Sequence, residues 1–289
     1  MRELVAVVGM HRSGTSMVAQ LVHELGIPVV GDEKFLARGN VHNEEGYWET
    51  PELVTMNDRI LAFLGGDWRH VPPMAPGWEK SLWLQPYRTH ARRLVSAIAG
   101  ERRTWKDPRL TLTLPFWQQV IPVARYVVCV RNPLDVQQSL ERRDKMGVEE
   151  AVQLWALYTA LAVSYTAGAP RLILSYGDFF TEGRHPVADL SRFLGVEPPR
   201  DPSSTVHSEL RHHAHSPADV LDHPQVPTPV KALWEAVVNY FDAPGETSEA
   251  ALVAVAQSYR WHAESSAGER FKRRWRFLGG TVKMLLGRG

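Results

Sequence analysis

Gly9-Met10-His11-Arg12-Ser13-Gly14-Thr15-Ser16 combines the residue types of an anion-binding turn: two glycines, a cation, and hydroxyls at Ser13, Thr15 and Ser16. An unbroken apolar run, Leu4 to Val8, precedes it. Val18, Leu21, Val22 and Leu25 follow at helical spacing, until Gly26 and Pro28 stop the pattern. Strand, glycine loop and helix in that order aim successive backbone N–H groups and the positive end of a helix at one anion. In loops that hold nucleoside triphosphates, a lysine before the Ser or Thr reaches the outer phosphates and the hydroxyl holds Mg²⁺. Here Thr15 stands in the lysine's place and the cation is Arg12, inside the loop. This pattern predicts a 5′-phosphate ligand without a triphosphate tail, contacted by His11, Arg12, Ser13, Gly14, Thr15 and Ser16.

A second anion-binding pattern begins where the apolar run Ala124 to Val130 ends, at Arg131-Asn132-Pro133. Parallel sheets place their ligands at the C-terminal ends of strands. Asn132 is suited to cap a helix with Pro133 at its first position, and Ser139 falls near the second turn of that helix. A permanently charged guanidinium with a hydroxyl donor suits a phosphate monoester. Two such sites on neighbouring strand ends describe a nucleotide phosphorylated at both its 5′ and 3′ positions.

These motifs resemble those of the sulfotransferases that use 3′-phosphoadenosine 5′-phosphosulfate (PAPS). Arg12-Ser13-Gly14-Thr15-Ser16 is similar to the family's 5′-phosphosulfate loop in the form found in carbohydrate and tyrosyl sulfotransferases. Arg131 and Ser139 match its 3′-phosphate pair in type and spacing. Trp105-Lys106-Asp107-Pro108-Arg109 and the segment from Asn43 to Glu49 resemble motifs of bacterial members. Ser175-Tyr176-Gly177-Asp178-Phe179-Phe180 is similar to the segment whose tyrosine contacts adenine. The resemblance covers roughly residues 4–215. It implies a PAPS donor, no metal, and a sulfuryl group lying near Lys106.

Sulfuryl transfer should follow the logic of phosphoryl transfer, an in-line displacement driven by positioning and electrostatics. Arg12 is then the expected partner of the leaving bridging oxygen, with Lys106 beside the transferred group. A base must take the acceptor hydroxyl's proton. Glu49 is the first candidate, in an aromatic segment. Asp32 and Glu33 are rivals, and Glu44, Glu45 and His42 stay open. Thr50-Pro51-Glu52 also reads as a helix start, which offers Glu49 a structural role instead, as does an ion pair for Lys106.

The elements that must hold these residues form an α/β fold, a central mainly parallel sheet flanked by helices, with strands at Leu4–Val8, Ala124–Val130 and Arg171–Leu174. The pattern from Val148 to Ala167 predicts a long helix, and Val230–Phe241 and Glu249–His262 predict two more. The expected organisation is a domain over 1–225, with an irregular substrate-loop insertion at 27–87, followed by a helical extension over 226–289 packed on it. The insertion carries Trp48, Trp68, Trp78 and Trp83, flat faces suited to sugar rings. His207, His212, His213 and His215 cluster with Arg211 in a stretch rich in proline and histidine. Arg211 is the expected head of a cationic flap over the nucleotide, and the spacing matches no zinc-ligand pattern.

The 289 residues carry 33 basic and 32 acidic side chains, so no global charge calls for nucleic acid. One cysteine, Cys129, excludes an intrachain disulfide and a thiolate metal cage. No apolar run reaches a membrane span, so a cytoplasmic protein is expected. The tail 269–289 interleaves Arg270, Lys272, Arg273, Arg274, Arg276, Lys283 and Arg288 with aromatic residues, composition suited to the anionic inner surface of a membrane. The leading reading is sulfuryl transfer to a hydroxyl of a carbohydrate or glycolipid. The alternatives are a P-loop kinase or NTPase, against which Thr15 and Arg131 argue, and a non-catalytic glycan-binding protein on the same fold.

Overall fold

The computed structural model describes residues 3–31, 46–97, 102–197 and 215–260. Asp32, Glu33, His42, Glu44, Glu45, His207, Arg211, His212, His213 and the tail 269–289 lie outside these ranges, as does the end of the helix expected over Glu249–His262.

Four parallel strands form the sheet: β1 (Glu3–Gly9), β2 (Arg102–Lys106), β3 (Arg125–Val130) and β4 (Arg171–Ser175), in the order β2-β1-β3-β4. The α/β class and parallel sheet expected from the sequence are both present. Strand β2 was not expected. It reads Arg-Arg-Thr-Trp-Lys, and its cations hide it from a hydrophobic pattern. At this edge position Arg102 and Arg103 stay partly exposed, while Thr104, Trp105 and Lys106 are buried.

Alternation along β1 divides the core between two faces, as a strand's period of two requires. Leu4, Ala6 and Val8 join one apolar cluster and Val5 and Val7 the other. Against the second face pack α1 (Thr15–Glu24), through Val18, Leu21 and Val22, and α7 (Pro186–Leu194), through Leu190 and Leu194. The first face is covered by α2 (Pro51–Phe63), α3 (Gln85–Ala97), α4 (Leu110–Gln118), α5 (Pro133–Asp144) and α6 (Val148–Tyr165). Each large apolar side chain buried this way contributes about 1.5–3 kcal/mol. α6 carries the heaviest load, with Trp155 and Tyr158 fully buried.

The expected irregularity of residues 27–87 needs correction. Helix α2 runs through the segment's middle, because Leu53, Met56, Ile60 and Leu61 recur at helical spacing and Pro51 occupies the first turn. Short 3₁₀ turns follow at Trp78–Lys80 and Leu82–Leu84. Beyond the sheet, α8 (Pro217–Asp222), α9 (Thr228–Asp242) and a helix over 246–260, here α10, join the same apolar cluster through Val220, Leu233, Trp234, Val237, Leu252 and Ala256.

Register aligns the strand ends. Val7 pairs with Lys106, Gly9 with Cys129, and Val130 with Ser175. The glycine loop, Lys106, Arg131 and Tyr176 therefore all leave the sheet at its C-terminal edge, where open α/β sheets bind their ligands.

Candidate active site

The loop after β1 turns through two left-handed residues, Arg12 at φ 67° and Gly14 at φ 85°. At Gly14 a side chain is excluded twice over. The backbone sits where L-residues are strained, and a Cβ would lie 2.3 Å from Cδ2 of Tyr176. Gly9 likewise lets the loop pass the Cys129 carbonyl, 2.5 Å from where a Cβ would stand.

The left-handed turn at Arg12 sends its side chain across the crevice, where Nε donates to Ser139 Oγ at 2.8 Å. Arg131 donates from NH1 to the Arg12 carbonyl at 3.2 Å, and its guanidinium stacks 4.3 Å above the ring of Tyr176. The two arginine motifs, more than a hundred residues apart in sequence, thus share one crevice, with Tyr176 as the floor beneath both. The end of β3 is held from behind by Trp155, whose Nε1 donates to the Arg131 carbonyl at 2.9 Å. Asn132 caps α5 as expected, accepting from the Leu134 N–H at 2.9 Å.

Lys106 is buried, and its Nζ donates to Ser16 Oγ (3.0 Å), the Tyr47 carbonyl (2.6 Å) and Glu49 Oε1 (2.7 Å). Its acidic partner is Glu49, not the adjacent Asp107. The other Glu49 oxygen lies 3.6 Å from NH1 of Arg109, so this carboxylate sits between two cations at the mouth of the loop. Such an arrangement can hold a carboxylate ready to receive a proton while a lysine faces developing negative charge.

Behind this pair lies a network that the sequence reading did not assign. Arg109 also pairs with Asp58 (2.8 Å) and Asp107 (3.1 Å). Fully buried Asp107 accepts from Asn57 Nδ2 at 2.7 Å, while Asn57 Oδ1 accepts from Thr113 Oγ1 and Trp117 Nε1, both at 2.7 Å. Burial first, and then Glu49, push the Asp107 carboxyl above the usual carboxylate range. The signal was present in Lys106-Asp107-Pro108-Arg109. Asn57 carried none, because only folding brings α2 against it.

His11 is buried against Trp68 (ring centroids 4.6 Å apart) and Tyr158 (6.0 Å). Burial, then the charges of Arg109, Arg143, Lys106 and Arg12, hold it well below the ordinary imidazole pKa, so it is neutral. Burial, followed by repulsion from Arg143 and Arg131, also lowers Arg12. This is the electrostatics of a pocket built for an anion. The loop fits a polar ligand in a second way: Ser13 Oγ and His11 Nε2 are buried with no hydrogen-bond partner among the described residues.

Of the four tryptophans of this segment, divided by expectation between core and sugar-facing roles, Trp48 is core, packed with Ala19 and Val29. Trp68 flanks His11, Trp78 is partly buried, and Trp83 is exposed. Among the described residues, no group of three or more His, Cys, Asp or Glu side chains is arranged to hold a metal ion, and no helix is long and apolar enough to cross a membrane.

Solved structures similar to this chain include the sulfotransferase domain from the Synechococcus PCC 7002 olefin synthase. It is 17% identical, with 90% of this chain and 96% of that one covered and a TM-score of 0.45. Another is the sulfotransferase domain from the curacin biosynthetic pathway, 12% identical, with 91% and 98% covered and a TM-score of 0.46. No curated protein matches the sequence. The sequence model described as "Sulfotransferase family" matches residues 5–201, well over half of the chain and every strand of the sheet. The chain belongs to the sulfotransferase family of enzymes.

Proposed function

We propose that this sulfotransferase takes the sulfuryl group from PAPS and passes it to a hydroxyl of a carbohydrate or glycolipid. The observation that carries the donor reading is the meeting of Arg12 with Ser139 at 2.8 Å and of Arg131 with the Arg12 carbonyl at 3.2 Å. One nucleotide with phosphates at both ends suits a crevice where the two anion motifs touch. In this reading Arg131 and Ser139 take the 3′-phosphate. The loop His11 to Ser16 takes the 5′-phosphosulfate through its N–H groups and hydroxyls, and Tyr176 offers a flat face near the adenine.

Lys106 and Arg12 face the charge that develops as the sulfur–oxygen bond to the donor breaks, a task that fixed cations perform without a metal. Glu49, already paired to Lys106, takes the acceptor's proton. Asp32 and Glu33 are the alternatives for that role. Trp68, beside His11 at the loop, supports a flat acceptor such as a sugar ring. A membrane-surface role for the tail 269–289 rests on its composition; vesicles of anionic lipid should pellet the full chain and leave one ending at Gly268 in solution.

Calorimetry and turnover test the reading together. Adenosine 3′,5′-bisphosphate should bind without Mg²⁺ and ATP should not, and PAPS should be consumed with at least one member of a saccharide panel. ATP binding that depends on Mg²⁺, with no affinity for the bisphosphate, would favour a kinase and overturn the donor assignment. Turnover confined to non-carbohydrate hydroxyls would keep the donor and overturn the acceptor.

A further inference from the structure

The guanidinium of Arg131 is held on three sides, and the third leads away from the crevice. NH1 meets the Arg12 carbonyl, one face lies on Tyr176, and Nε faces Asp135 Oδ2 at 3.8 Å. Asp135 is itself nearly inaccessible, with 7% of its side chain exposed. Its other oxygen, Oδ1, accepts twice from one residue, from the His215 backbone N–H at 3.0 Å and from His215 Nδ1 at 2.7 Å.

His215 is gripped along one side of α5. Asn132 Nδ2 donates to the His215 carbonyl at 3.1 Å and to the Ser216 carbonyl at 3.3 Å, and the Gln138 amide meets His215 Nε2 at 3.2 Å. Asn132, Asp135 and Gln138 stand three residues apart, on one helix face, so a single face of α5 reads the whole of His215. On its far side the residue is equally fixed. Ser216 and Asp219 form a reciprocal capping box that starts α8, and Trp234 of α9 donates to the Pro217 carbonyl at 3.2 Å. The chain Arg131–Asp135–His215 therefore connects the strand-end arginine to α8 and α9, some eighty residues later in sequence.

We propose that Asp135 and His215 are positioning residues for Arg131, presenting its guanidinium edge to the 3′-phosphate of the donor. The proposal rests on the reading above that Arg131 holds that phosphate. The imidazole acts through the carboxylate: with Nδ1–H and the backbone N–H both on Oδ1, the carboxylate is oriented so that the negative charge of Oδ2 faces Nε of Arg131 across 3.8 Å. A planar guanidinium hydrogen-bonded through NH1, stacked on one face and drawn at Nε toward a carboxylate 3.8 Å away has little rotational freedom left, and binding loses less entropy when the receptor is already ordered. Removing the imidazole should release the carboxylate to rotate and loosen the arginine, while every group that touches the nucleotide stays in the chain.

The test is calorimetric titration of the full-length protein with adenosine 3′,5′-bisphosphate and adenosine 5′-monophosphate, which differ only in the 3′-phosphate. Arg131→Ala should weaken the bisphosphate by at least about thirtyfold and the monophosphate far less, the loss expected for a charge-assisted contact. His215→Ala should weaken the bisphosphate about five- to tenfold and leave the monophosphate within about twofold, as expected for a partner one bond removed. His215→Asn restores a donor where Nδ1 stood and should recover most of the loss. If Arg131→Ala is selective for the bisphosphate and His215→Ala is not, the positioning role is wrong while the donor reading stands. Equal losses on both nucleotides in His215→Ala would mark a merely structural residue, and a failed rescue by His215→Asn would remove the ring hydrogen bond as cause; each overturns the proposal. Equal losses in Arg131→Ala would bring down the donor reading and the proposal with it.

Discussion

Lys106 and Glu49 form an ion pair 2.7 Å long at the mouth of the glycine loop, joining the end of β2 to the residue that precedes the cap of α2. The lysine comes from a strand at the sheet's edge, the glutamate from the segment opposite, and Ser16 shares the same ammonium. On the function proposed above, the pair brings together a cation for the transferred group and a carboxylate for the acceptor.

Separate substitutions should part their roles. Lys106→Ala should lower kcat by about 10²–10³-fold, the cost of losing one donor to developing charge, while affinity for adenosine 3′,5′-bisphosphate changes much less. Glu49→Gln keeps the shape and should lower kcat by about 10²–10⁴-fold if the carboxylate is the base. Product formation followed by mass spectrometry measures both. Near-normal turnover in Glu49→Gln would transfer the role to Asp32 or Glu33.

Gly14→Ala should damage the loop through Tyr176. Its φ of 85° costs an L-residue about 1–2 kcal/mol, and the new methyl must displace a ring 2.3 Å away on which Arg131 stacks. Thermal melting should show a loss of several degrees, and nucleotide binding should weaken as well. Because one ring transmits the damage, Gly14→Ala combined with Tyr176→Ala should cost less than the two changes summed. Simple additivity would mean the ring is not the mediator.

His11 should give the protein an acid-side weakness. Its imidazole titrates well below 6.5 in the fold and near 6.5 in the unfolded chain. As pH falls below 6.5 the unfolded state takes up a proton that the folded state refuses. Stability is therefore complete above about pH 6.5 and is lost below it, by up to about 1.4 kcal/mol per pH unit, until the folded-state pKa is reached. Urea unfolding at pH 7.0, 6.0 and 5.0 should show this slope, and His11→Gln should flatten it. An unchanged slope would mean His11 is not the group responsible.

Asn57 should prove to be a stability residue behind the site. Asn57→Ala leaves Trp117 Nε1 without an acceptor and Asp107 Oδ2 without its donor, while Thr113 keeps the Arg109 carbonyl and Asp107 Oδ1 keeps Arg109. The expected loss is about 3–5 kcal/mol, since each buried polar group left unpaired costs about 1–3 kcal/mol. Denaturant titration measures it. Asn57→Asp should be no rescue, because it sets a second carboxyl against Asp107.

The glycine loop, the strand before it and the helix after it were legible in the sequence because everything they need is local: an apolar run, two glycines and a helical repeat within one stretch of chain. The Asn132 cap that follows Arg131 was legible for the same reason, as was the parallel α/β class. Strand β2 was not, since three cations in five residues mask a strand whose identity comes from pairing with β1. The start of helix α2 was legible at Thr50-Pro51-Glu52, but its length was masked by a segment whose glycines, prolines and aromatics suggested irregular chain. Only tertiary structure decided that Lys106 pairs with Glu49 and not with its neighbour Asp107, that Arg12 reaches Ser139, that Trp48 is core, and that Asn57 and His215 stand behind the site. Sequence spacing determines what one helix or strand presents on each face. Which faces then meet depends on burial summed over the whole sheet, and no local pattern records that sum.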